Sequence, residues 1–182
     1  MSEKPYRVPP EVLSERWQII RFGFDQPSTL FGNLVKLAPR ATLYHFGILS
    51  STMHNAWVRT TGGRLKSDYR YSASIVYNNF PCPYLSSNQA PAQAGRAQAA
   101  IETEAKTELD ARTRFPDSSL ADLYDPLSMP ATLVKARQKL DAVVDKAYEV
   151  GGGRKSYKND AERVAYLCEL YQQYTNLLPD DA

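Results

Sequence analysis

The sequence predicts an α+β chain. A small mixed subdomain of short strands around a central helix occupies residues 11–83, a linker covers 84–90, and an all-α domain of three helices covers 91–178. Three observations carry this. Residues 64–71 alternate strictly, with Leu65, Ser67, Tyr69 and Tyr71 on one side and Arg64, Lys66, Asp68 and Arg70 on the other, as successive side chains of a strand do. Leu43, Phe46, Leu49, Met53, Ala56 and Trp57 recur at helical spacing. Beyond residue 91 the period is helical almost throughout.

Taken in order, residues 1–12 are polar and carry Pro5, Pro9 and Pro10, which reads as an arm. Residues 17–24 are rich in aromatic and β-branched side chains and predict a strand, broken at Pro27-Ser28-Thr29. A second short strand is predicted at 34–37, stopped by Pro39. The helix opening near Thr42 runs to Gly62-Gly63, and Pro81 and Pro83 close the subdomain after the alternating strand. In the second half an alanine-rich helix is predicted over 92–114, a short helical turn over 119–124, and a helix from Pro130 to Glu149 with Leu133, Leu140, Val143, Val144 and Ala147 inward. Asn159 with Glu162 has the spacing of a capping box and opens the last helix, with Val164, Leu167, Cys168 and Tyr171 inward. The C-terminal helices are expected to pack as one bundle.

The net charge of +2 is too small to announce a nucleic-acid binder, so such a role must rest on where charges sit. Cys82 and Cys168 lie far apart without metal-type spacing, as in a reduced cytoplasmic protein. No apolar run is long enough to span a bilayer, and the first residues do not read as a signal peptide. His45 and His54 are nine residues apart with no Cys or carboxylate completing a metal set, and read as helix-surface or capping groups. Glu104-Ala105-Lys106 has the Glu-x-Lys form of metal-dependent nucleases but falls in an alanine-rich helix without the partner Asp on a strand. Asn79-Phe80-Pro81 lacks the pair of prolines that follows the Asn in the amino-methyltransferase motif, and no glycine-rich methyl-donor loop follows a strand. Gly151-Gly152-Gly153 has no Gly-Lys-Ser/Thr ending and is a flexible connection. The chain is expected to be non-catalytic by itself.

The runs at 43–51, 56–59, 63–72 and 76–81 (Leu-Tyr-His-Phe-Gly-Ile-Leu-Ser-Ser, Ala-Trp-Val-Arg, Gly-Arg-Leu-Lys-Ser-Asp-Tyr-Arg-Tyr-Ser and Val-Tyr-Asn-Asn-Phe-Pro) resemble the target-recognition region of the Mme-type (type IIL) single-chain restriction-modification enzymes. The patch at 123–130 resembles the start of that family's C-terminal helical domain. The resemblance implies sequence-specific recognition of double-stranded DNA by the tail of an adenine-N6 methyltransferase/endonuclease. Its methyltransferase domain would be the other partner, and S-adenosylmethionine and magnesium would be needed by the full-length enzyme only. No cofactor and no membrane is implied for this chain.

Within that family Lys66 and Asp68 match a coupled specificity pair. On one strand face i and i+2 lie about 6.5–7 Å apart, so both can converge on one G·C pair, Lys donating to guanine O6/N7 and Asp accepting from the cytosine amino group. Arg64, Arg70 and Arg59 would then hold phosphates or neighbouring bases, and Asn33 and Glu11 fall where the family carries further specificity positions. A Lys66–Asp68 ion pair facing water would give the same pattern. The family usually has an aromatic at Cys82, which implies looser packing at the exit from the region. An assembly module, with the helices docking on a larger protein, is the alternative from another class.

Overall fold

The computed structural model describes residues 6–10, 12–13, 20, 22–24, 35–65, 68–83 and 91–176, with most strand residues described by their backbone. Among the described residues six short strands form two antiparallel three-stranded sheets. Strands β1 (Tyr6–Pro10), β3 (Gly23–Phe24) and β4 (Val35–Ala38) make one sheet with β1 in the middle. Strands β2 (Val12–Leu13), β5 (Gly63–Leu65) and β6 (Asp68–Arg70) make the other, with β6 in the middle.

The expected N-terminal arm is therefore a central strand for residues 6–10. Its prolines are tolerated because the pairing with β4 shifts register between Val8 and Pro10, where a missing N–H does least harm. Among the described residues of the strand expected at 17–24, Gly23–Phe24 is strand, and Ile20 and Phe22 are buried outside it; residues 17–19 and 21 lie outside the described residues.

The alternating segment at 64–71 is not one strand. Chain direction reverses between Leu65 and Asp68, which sit opposite each other, with Arg64 opposite Tyr69 and Gly63 opposite Arg70. A straight strand would keep the two alternating sets apart, whereas the antiparallel register sets a residue of one set opposite a residue of the other. The strand expected across 64–71 is thus two, and the i, i+2 premise for Lys66 and Asp68 falls on Lys66, which lies outside the described residues.

The expected single helix is also two, α1 (Leu43–Ser50) and α2 (Thr52–Thr61). Ser51 is extended (φ −67°, ψ 159°), ends α1, and begins α2 by accepting the His54 N–H with its hydroxyl oxygen. Ser50-Ser51-Thr52 is the polar break in the apolar stripe that carries this signal. After β6 comes a single π-helical turn, Ala73–Tyr77, capped by the Ser72 hydroxyl and braced by the Asn79 side chain, which donates to the Ser74 and Ile75 carbonyls.

The second half holds α3 (Pro91–Arg112), the short α4 (Leu120–Leu123), α5 (Ala131–Glu149) and α6 (Asp160–Thr175). Asn159 caps α6, accepting the Glu162 N–H at 3.0 Å. Leu133, Leu140, Val144 and Ala147 are buried as expected, but Cys168 is exposed, and Leu170 takes an inward position with Leu167.

The helices do not form a bundle of their own. The α3 helix packs along α5 and also against α1, while α6 packs on α2. One core runs from Phe22, Phe46 and Trp57 through Ile101, Leu140 and Val144 to Leu167 and Leu170. Leu133 sits in a smaller cluster with Ala111, Leu123, Tyr124 and Ala136. Gly47 lets α1 approach this closely, because a Cβ there would lie 2.6 Å from Ile101 Cγ2. Among the described residues no helix is long and apolar enough to cross a membrane.

Candidate nucleic-acid interface

The hairpin of β5 and β6 is held at its foot by aromatic residues. Tyr69 is partly buried against the main core, and Tyr71, one residue past β6, is buried. The Tyr71 ring meets Phe22 edge-on with centroids 6.2 Å apart, and its hydroxyl lies 3.2 Å from His54 Nε2.

His54 is not the surface group expected from the sequence. It is fully buried between Tyr71 and Phe80, the latter ring edge-on at 4.7 Å. Its Nδ1 lies 2.8 Å from the Leu49 carbonyl, which only accepts, so Nδ1 carries the proton and Nε2 accepts from the Tyr71 hydroxyl. Burial lowers the His54 pKa to about 4 and raises that of Tyr71, so both are neutral. His45, by contrast, is exposed and accepts the Thr42 N–H at the start of α1.

The residues expected to contact DNA are distributed as follows. Asp68 opens β6, Arg64 lies in β5, and Arg70 pairs in register with both Gly63 and Val12. Lys66, Glu11 and Asn33 lie outside the described residues; Glu11 is the one residue between β1 and β2, and Asn33 stands two residues before β4. Arg59 is half-buried in α2 and donates through Nη2 to Asp160 at 2.6 Å, an ion pair that joins α2 to α6. In this structure a carboxylate from the far end of the sequence occupies the Arg59 guanidinium, a partner no local pattern announces.

Sequence reasoning missed the buried ionic group that fixes this region to the helices. Glu108 on α3, fully buried, is met by Arg112 Nη2 at 3.1 Å and Arg137 Nη1 at 3.4 Å, and it accepts from the Tyr124 hydroxyl. Both guanidiniums then reach into the first half, Arg112 Nη1 donating to the Phe22 carbonyl at 2.6 Å and Arg137 Nη2 to the Ser50 carbonyl at 3.1 Å. Asp141 on α5 caps α2 by accepting the Thr52 N–H and hydroxyl at 2.6 and 2.7 Å. At the exit, Tyr148 donates to the Pro81 carbonyl and Tyr174 to the Cys82 carbonyl. The Cys82 side chain is exposed, so the position the family fills with an aromatic is tied down here through its backbone. Glu104 and Lys106 stand on α3, and Lys106 pairs with Asp110.

A first half of short strands and two helices is thus clamped on a helical second half. The chain belongs to the MmeI family: residues 1–84 match its target recognition domain and residues 93–179 its C-terminal domain. It is similar to the type IIL restriction-modification enzyme MmeI, whose structure was determined in complex with DNA, with 43% identity and a TM-score of 0.83 over 96% of this chain and 22% of that one. It is 40% identical over 168 residues to DNA methyltransferase A of Bacillus subtilis (strain 168), covering 92% of this chain and 18% of that protein. The chain thus spans about a fifth of the length of these relatives.

Proposed function

We propose that this chain reads a DNA sequence on behalf of a restriction-modification enzyme, with methyl transfer and cleavage carried out by parts of the enzyme outside these 182 residues. The observation that carries the reading is the similarity across 96% of the chain to an enzyme solved in complex with DNA. The hairpin supports it on physical grounds. A two-stranded ribbon is one of the few elements the major groove admits, and this one stands on a rigid foot of Tyr71, His54 and Phe22.

In this reading Lys66 and Asp68 read one G·C pair. Lys66 donates to guanine and Asp68 accepts from the cytosine amino group, which accounts for a carboxylate among phosphates that would otherwise repel it. Arg64 and Arg70 hold the backbone, and Glu11 and Asn33 are further base readers. Arg59 serves through its hold on Asp160 of α6. Double-stranded DNA and the methyltransferase domain of the same enzyme are the partners, and the location is the cytoplasm. S-adenosylmethionine and magnesium act only in the full-length enzyme.

The test is the double substitution Lys66→Glu with Asp68→Arg in the full-length enzyme. The expected result is a preference for the reversed base pair at one position of the site. An unchanged preference, or only uniform losses of affinity from the two single changes, removes the pair from the reading of DNA.

A further inference from the structure

We propose that a basic groove between the C-terminal end of α3 and the N-terminal half of α5 holds the phosphate backbone of the DNA, extending the contact from the hairpin onto the helical half. This rests on the DNA-recognition reading above. The groove is lined by Arg114 from just beyond α3 and by Lys135 and Lys139 from α5, with Thr107 and Thr132 supplying hydroxyls. All three cations are exposed, and none has an ion pair with any other described residue. The one carboxylate in the lining, Asp110, is already paired with Lys106 at 2.7 Å. No acidic residue stands in the first turn of α5, so the positive end of that helix is not neutralised either.

The rest of the α3–α5 seam is different, and the difference locates the site. At the opposite end Arg96 and Lys146 share their groove with Glu149, and Glu104 lies on α3 between the two ends. Positive charge is therefore denser at one end of the seam, three cations whose one neighbouring carboxylate is already engaged against two that face Glu149, in a protein whose net charge is only +2. A surface cation left without a partner adds nothing to folding, whereas a set of them in a groove matches a line of phosphates. This wall of the groove is also coupled to the recognition half. Two residues before Arg114, Arg112 donates to the Phe22 carbonyl, and the Phe22 ring meets Tyr71 at the foot of the hairpin.

The experiment measures binding of the 182-residue chain to a pool of random-sequence 30-base-pair duplexes over a range of salt concentrations. Arg114→Gln, Lys135→Gln and Lys139→Gln are combined in one variant. Each phosphate contact contributes about 0.9 to the slope of log affinity against log salt, so the variant is expected to lose about 2–3 from the magnitude of that slope. Its melting temperature should match that of the wild type, since all three side chains are exposed. Replacement of the same residues by Lys or Arg in exchange should keep the slope. An unchanged slope in the glutamine variant overturns the groove while leaving the DNA reading in place. An equal loss from Arg96→Gln with Lys146→Gln also overturns it, because binding would then be spread along the seam. Absence of duplex binding by the wild type overturns both.

Discussion

His54 shows how much a single residue owes to partners that the sequence does not place beside it. It falls beside the apolar stripe of the first helix pair rather than on it, yet burial among Phe22, Tyr71 and Phe80 keeps it neutral, while the Leu49 carbonyl, five residues back, fixes its tautomer. Its folded pKa, about 4, lies below the ordinary 6.5, so between those values the unfolded chain binds the proton and the folded chain does not. Stability is then fully present above pH 6.5 and falls as pH drops towards 4, by about 3 kcal/mol at about 1.36 kcal/mol per unit. Burial raises the Asp145 carboxyl, which works in the opposite sense nearer the carboxylate range. Denaturant midpoints measured from pH 7 to 5 should decline, and a flat profile would contradict the buried neutral imidazole.

At the scale of elements, the helical stripes were legible because 3.6-residue periodicity survives burial. Leu133, Leu140, Val144 and Ala147 stand inside as their spacing demands. The hairpin was not legible, because no Asn-Gly, Asp-Gly or Gly-Gly pair stands between Leu65 and Asp68, and the strict alternation over 64–71 reads as one continuous strand. The break at Ser51 had a local signal in Ser50-Ser51-Thr52, overridden by the continuous apolar stripe around it. Of the candidate site, Asp68, Arg64 and Arg70 could be placed by the hairpin, whereas the Asp160 that engages Arg59 lies about a hundred residues away and has no sequence signature. Gly47 gives a direct test of the helix contacts. Gly47→Ala would press a methyl against Ile101 and should cost about 1–3 kcal/mol despite its better helix propensity, read as a lowered melting temperature. A rise would mean that α1 and α3 are not in close contact.

For the whole molecule, the shared core and the Glu108 group make the two halves one cooperative unit. Arg112→Ala should leave the Glu108 carboxylate short of a partner in a buried site and cost about 3–5 kcal/mol. Residues 91–182 alone should fail to give a cooperative melting transition, because Ile101, Leu140 and Leu167 would lose Phe46, Met53 and Trp57 as neighbours. A sharp transition from that fragment would show the halves to be independent.

The reach of Arg112 and Arg137 to the Phe22 and Ser50 carbonyls also bears on how such proteins acquire new specificities. A recombination event that exchanged only the first half between two relatives would bring these guanidiniums against a foreign backbone, and a shift of a single ångström would strand a buried charge. The exchangeable unit is then the entire chain. Diversification within it is left to substitutions that spare these buried guanidinium contacts.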